Sequence, residues 1–180
     1  INEFYTFRRN NEAQRSIYDA REDTWVTFDL GGWNERVVVP TNATLAATYP
    51  LFIVDAHEIV MDEVGGVPIV IARSPLTDEV MVYDRRLPDG TVMDLGVSGL
   101  LVDLALLMYD TGSESASLWS AHDGRAVAGP AVGARLTPLP GVSVATWRDW
   151  LALHPETRVA LRDPESMRRY RRIDYRRYLD

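Results

Sequence analysis

His57 is the first residue in this chain whose type and setting could do chemistry. It stands directly before Glu58, and imidazole is the one side chain whose unperturbed pKa lies near neutrality. Asp62 and Asp84 are the carboxylates that could orient such a ring, so His57, Asp62 and Asp84 form the candidate catalytic set. Around them, Glu58, Arg73, Ser74, Thr77 and Ser98 could contact a ligand through charge or hydroxyl, with Tyr109 and Trp119 lining an apolar wall. Each also has a structural reading: a histidine packed at a strand start, carboxylates salt-bridged with Arg85 and Arg86 at a sheet edge, and aromatics in the core. The hydroxyls lack the strand-turn-helix context of a nucleophile elbow. The two readings separate on one point, whether a concave site surrounds Ser74 and Thr77.

Several chemistries are excluded outright. There is no cysteine, so disulfides, thiolate metal sites and cysteine nucleophiles are absent. There is no lysine either, which removes Schiff-base chemistry. The three histidines, His57, His122 and His154, are 65 and 32 residues apart, far from zinc-ligand spacing, and no metal site is expected. Gly96 and Gly99 do not form a dinucleotide or phosphate-binding fingerprint, so no cofactor is expected.

The elements that must position these residues can be read from pattern. Ile59, Val60, Val64, Val67, Ile69, Val70 and Ile71 are mostly β-branched, and Gly65-Gly66 divides them. Two glycines suit a primed hairpin turn, so His57–Val64 and Val67–Arg73 are expected to pair antiparallel. On such a strand His57 and Ile59 would face one way, and Glu58, Val60 and Asp62 the other. Ser74-Pro75 breaks the second strand, Glu79–Arg85 resumes, and Pro88-Asp89-Gly90 turns. Asp84 and Arg85 are expected to form a structural ion pair. Further strands are expected at 24–30, 36–39, 44–49, 104–109, 118–121, 125–128, 134–139 and 158–161. Thr91–Gly96 is expected to close a second hairpin, Gly96–Gly99 to be a loop, and His122-Asp123-Gly124 a hairpin tip. A short helix could start after Asn10-Asn11, and Thr146 caps a helix running to His154 before Pro155.

These motifs, taken together, carry a resemblance. HEIV-x-D-x-VGGVP from His57, the Ser74–Thr77 turn, YDRR from Tyr83, GVSGLL from Gly96, LMYD from Leu107, SLWS from Ser117 and G-x-A-x-AGP from Gly124 follow one another in order. The chain from about Tyr49 onward resembles the domain-of-unknown-function family number 3179. The resemblance implies a compact, strand-rich domain of bacteria and archaea, often exported, and brings no activity with it. It also implies a cysteine-proline-x-cysteine turn where this chain has Ser74-Pro75-Leu76-Thr77. Two hydroxyls cannot replace two thiols as soft metal ligands or a redox pair.

The expected fold is α+β: a strand-rich single domain with a central antiparallel sheet and one or two short helices. Within it, 1–48 would hold N-terminal strands and a helix, 49–161 the family-like core, and 162–180 an arginine-rich tail packed on that core. Net charge is −7 over 180 residues. The last twenty hold seven arginines against four acids, or +3, which leaves −10 for residues 1–160. An acidic body argues against nucleic-acid binding. The arginines and tyrosines of the tail instead suit the body itself, a second copy or a protein partner. No apolar run approaches the roughly 20 residues of a membrane-spanning helix, which leaves a soluble protein, exported if it follows the resemblance. The first residue is Ile1 rather than Met, which fits a removed leader or a trimmed chain; no signal peptide is visible. Two functions fit: a small-molecule enzyme using acid–base chemistry around His57 and the Ser74–Thr77 turn, or a binding or assembly module that has lost the thiol chemistry.

Overall fold

The computed structural model describes residues 36–42, 45–112, 115–154 and 158–159; for 36–47, 151 and 158–159 it describes backbone alone. The strand expected at 24–30, the helix after Asn10 and the C-terminal tail lie outside the described residues.

Twelve strands and two short helices follow one another in the described chain. They are β1 (Arg36–Asn42), β2 (Leu45–Pro50), α1 (Leu51–His57), β3 (Ile59–Val64), β4 (Val67–Ser74), β5 (Glu79–Asp84) and β6 (Leu95–Val102). After these come β7 (Ala105–Asp110), β8 (Leu118–Ser120), β9 (Ala126–Ala128), β10 (Thr137–Pro138), β11 (Val142–Thr146), α2 (Trp147–Leu153) and β12 (Arg158–Val159). They form three four-stranded sheets, ordered β11-β1-β2-β12, β10-β5-β4-β3 and β6-β7-β8-β9. All pairs are antiparallel except β12 with β2.

β4 shows why its sequence is almost wholly apolar. Every residue but Val67 is buried. Ile69 and Ile71 join Tyr49, Leu51, Val54, Val60 and Val82 in one apolar cluster. Val70 and Ala72 join Leu106, Met108, Trp119, Tyr83 and Leu136 in another. Alternate residues of a strand face opposite ways, so an inner strand with a cluster on each face has no polar side to show. The β3–β4 hairpin closes at Gly65-Gly66, with φ of 60° and 81° and Val64 opposite Val67. A two-residue type I′ turn needs both values positive, and a Cβ at either position would be strained.

Two local expectations need correction. His57 does not begin a strand; it ends α1, and β3 starts at Ile59. Ile53 and Val54 are β-branched, yet with Leu51 and Phe52 they are buried on α1, whose seven residues make about two turns between β2 and β3. Packing outweighs propensity here, since propensity is a weak prior for a short segment buried on several sides. The alternation inferred for His57 and Glu58 therefore fails at its first two residues. Likewise Gly96–Gly99 is part of β6 rather than a loop. The strand is bulged between Val97 and Leu101, where Ser98 Oγ donates to Leu107 O at 2.5 Å and accepts from Leu100 N at 3.0 Å. Thr91–Gly96 contributes an isolated bridge, Arg86 with Val92, before β6 begins at Leu95.

Candidate functional site

Four turns meet at one end of the β3-β4-β5 sheet. The end of α1 reaches β4 because Glu58 O accepts from Arg73 N at 2.7 Å. The 74–79 turn follows β4 directly. The start of β7 is tied to it by Leu106 N donating to Ser74 Oγ at 3.0 Å. The β8–β9 turn joins through Ala121 N to Leu106 O at 3.0 Å and His122 Nδ1 to Glu79 Oε1 at 2.6 Å. His57, Glu58, Arg73, Ser74 and Thr77, scattered in sequence, are gathered here.

Arg73 is the centre of this end. It lies on the same face of β4 as Ile69 and Ile71, toward α1. Its side chain is 4% exposed, and the guanidinium donates to Asp55 at 2.7 Å, Asp78 at 2.7 Å and Glu79 O at 3.3 Å. A buried cation must be paired and hydrogen-bonded, and two carboxylates achieve that here.

Ser74 faces the other way. It is buried, and its hydroxyl is occupied as the acceptor for Leu106 N, which fastens one sheet to the next. Thr77 sits on the exposed turn, and its Oγ1 donates to Ser74 O at 3.3 Å. Of the two hydroxyls standing where the resemblance implies thiols, one is a joint in the fold and one meets solvent.

Glu58 is the unusual residue. It caps α1 with φ 57° and ψ −32°, a backbone conformation that costs a non-glycine residue energy. Its amide donates to Val54 O at 2.7 Å and its carbonyl accepts from Arg73, so packing holds the strain from both sides. The side chain is half-buried, and its carboxylate has no hydrogen bond or ion pair to another described residue. Burial alone pushes its pKa above the usual glutamate range. Neither the strain nor the missing partner can be read from sequence, because Glu58 looks like any charged residue before a strand.

The other predicted acids lie elsewhere. Asp62 opposes Ile69, and Ile69 opposes Asp84, so the two aspartates flank one residue in a single row. Four residue steps along β4 separate Ile69 from Arg73, or about 13 Å at ~3.3 Å each. Asp62 is buried and accepts from Tyr49 Oη at 2.5 Å and Glu63 N at 2.7 Å. Asp84 accepts from Arg86 N at 2.8 Å. The ion pair expected between Asp84 and Arg85 is instead Arg85 with Asp94 at 2.9 Å; Arg85 also donates to Ile69 O and Met93 O. Trp119 is fully buried, its Nε1 donating to Asp110 at 3.1 Å, and Tyr109 pairs in β7 with Leu118.

Sequence reasoning missed Asp55, Asp78, Glu79 and His122. The first two stand 18 and 5 residues from Arg73, a spacing that signals nothing until the helix and turn are built. His122 with Glu79 is an exposed pair on the opposite face of β5 from Arg73. Near it, burial pushes the Asp123 carboxyl upward, but hydrogen bonds from Ser120 and Arg125 and the Arg125 charge outweigh that and hold it below the usual range. Tyr83, beneath them, is pushed well above the usual phenol range by burial and by the Asp123 and Glu79 charges, and its hydroxyl donates to Ala121 O at 2.8 Å. Among the described residues no three His, Asp or Glu side chains converge as metal ligands.

Residues 21–180 match the family described as protein of unknown function DUF3179. The chain belongs to this family. The match begins at residue 21, well before Tyr49, so β1 and β2 belong to the DUF3179 unit. No curated protein and no solved structure matches the chain. Glu58 and Arg73 both border the Ser74–Thr77 turn, which lies within the matched residues. No helix among the described residues is long and apolar enough to cross a membrane.

Proposed function

We propose that this DUF3179 chain binds a small molecule at the junction of α1, β3 and the 74–79 turn, and transfers a proton there through Glu58. The single observation that carries this reading is the state of Glu58: strained backbone, a half-buried carboxyl with no partner among the described residues, and a pKa raised by burial. Strain and perturbed titration together are costs that a fold retains where a site uses them. A carboxylic acid whose proton is held more tightly than usual is suited to donate it to a ligand. His57, next in the chain, is the residue to receive or relay that proton, and exposed Thr77 offers a hydroxyl at the rim. Asp62 and Asp84 have no part in this version, because their row lies on the order of 10 Å away along the strands.

The second reading, a binding or assembly module without chemistry, is favoured by Ser74. Its hydroxyl is spent on the Leu106 amide, and the Arg73 guanidinium is spent on Asp55 and Asp78. One experiment separates the two: a thermal-shift screen of metabolites at pH 5 and pH 8, run on the native chain and on Glu58→Gln. A ligand that binds only the folded state raises the melting temperature. Proton transfer through Glu58 requires a ligand whose shift changes with pH in the native chain and not in Glu58→Gln. A ligand that binds both proteins identically at both pH values leaves the module reading standing and removes the acid.

The expected division into one unit with its C-terminal tail packed on the core is retained as part of this proposal. The family match over residues 21–180 supports the single unit, and the packing of the tail is part of the proposal.

A further inference from the structure

The tip of the β6–β7 hairpin breaks two rules at once. Leu100, Leu101, Val102 and Leu104 are exposed by 51%, 50%, 53% and 52%, so four large apolar side chains in five residues face outward. Val102 opposes Ala105, which makes Asp103-Leu104 the centre of a two-residue turn, with φ of 50° and 64°. Such turns select Asn-Gly or Asp-Gly, because a left-handed backbone crowds a Cβ. Leucine at the second position is strained, and its side chain projects into solvent. Natural sequences break local rules of this kind where something is to be bound.

We infer that this tip is a docking surface for the chain's own C-terminal segment Arg168–Tyr178, RRYRRIDYRRY. Three observations select that occupant. Charge is the first: the segment holds six arginines and one aspartate, or +5, while residues 1–160 carry −10. Asp103 lies within the tip itself. Apolar content is the second, since Tyr170, Ile173, Tyr175 and Tyr178 alternate with the arginines and give large, weakly polar faces for four aliphatic side chains.

Reach is the third. β12 ends at Val159 beside Thr48. From there the path to the tip runs along α1, roughly 10 Å, across the Glu58–Arg73 and Ser74–Leu106 contacts, to Leu101 opposite Leu106, on the order of 40 Å in all. The twelve residues from Val159 to Arg171 span about that distance when extended. A second copy is a poorer fit, because four half-exposed side chains offer on the order of 400 Å², about half of what one partner buries in a standard interface. The docking side chains Leu100, Leu101, Val102 and Leu104 are not among those of the Glu58 site, so the two proposals can fail separately.

Limited trypsin digestion of the full chain, read by mass spectrometry at Arg168–Arg177, tests this. The variant to compare is Leu104→Gly, which relieves the strained backbone and removes one docking side chain. Docking requires cleavage within 168–177 to accelerate at least fivefold in Leu104→Gly and in Leu100→Ser, with melting temperatures held or raised. Raising salt should accelerate cleavage of the native chain in the same region. Equal or slower cleavage in both variants overturns the proposal. So does protection that grows with protein concentration, which would assign the surface to another copy.

Discussion

Replacing Arg73 by methionine keeps most of the buried stem and removes the guanidinium, so it isolates the charge at the centre of the candidate site. The side chain is 4% exposed, and its two ion pairs differ in setting: Asp55 is 26% exposed and Asp78 60%. Breaking a buried pair by removing one partner costs about 3–5 kcal/mol, because the other charge stays behind in a poorly solvated place. Asp55 is only about three-quarters covered, so it falls short of that range. Asp78 is exposed enough to rehydrate and adds at most about 0.5 kcal/mol. The Glu79 carbonyl, at 3.3 Å, loses a long hydrogen bond. The expected cost of Arg73→Met is about 2–3 kcal/mol. Urea unfolding at pH 7, followed by tryptophan fluorescence, measures it, and the slope should be unchanged. The double variant Arg73→Met/Asp55→Asn should recover at least half of the loss, since it removes the charge left behind. A cost below about 1 kcal/mol, or a double variant no more stable than the single, would refute the assignment of Arg73 as the anchor of this end.

Three further outcomes follow from the same contacts. Ser74→Ala leaves the Leu106 amide buried without its acceptor and should lower stability by about 1–3 kcal/mol in the same assay, whereas Ser74→Thr, which keeps a hydroxyl, should lose less. Trp119→Phe removes the hydrogen bond to buried Asp110 and should cost about 1–3 kcal/mol, read as a fall in thermal or urea stability. Glu58→Gly removes the positive-φ penalty and should raise stability by roughly 1 kcal/mol at pH 7 while abolishing any ligand response found in the native chain.

Much of the scaffold could be read from residue pattern because local signals and packing agreed there. The paired glycines at 65 and 66, the unbroken apolar run of β4 and the Asp123-Gly124 turn each had one sensible conformation. Thr146 caps α2 as its position suggested, its hydroxyl accepting from Asp149 N at 3.2 Å. α1 was illegible because Ile53 and Val54 are β-branched and Pro50, at its N-cap, offers no side-chain capping hydrogen bond. The Ser74–Thr77 turn was found as a turn, but its division of labour was not. Which hydroxyl is buried depends on where β7 runs, and β7 comes about thirty residues later. Arg73 stood out only as a basic residue at a strand end; its partners come from α1 and the 74–79 turn. Asp62 and Asp84 were grouped with His57 by type. Strand register separates them, and register is a property of the paired sheet.

The account turns on Glu58, and the most direct measurement is an NMR titration of its side-chain carboxyl carbon in the full chain, assigned by comparison with Glu58→Gln. Burial without a compensating partner favours the protonated form, so the folded-state midpoint should lie above the ordinary glutamate value of 4.5. The linked stability has a definite sign. Protonated Glu58 contributes fully below 4.5, and that contribution is lost as pH rises through the folded midpoint. Glu58→Gln should therefore be more stable than the native chain at neutral pH, with the two converging in acid. A midpoint clearly above 4.5, together with that convergence, is the predicted result. A midpoint at or below 4.5, with the native chain and Glu58→Gln equally stable across the range, would contradict it and leave the site without its acid.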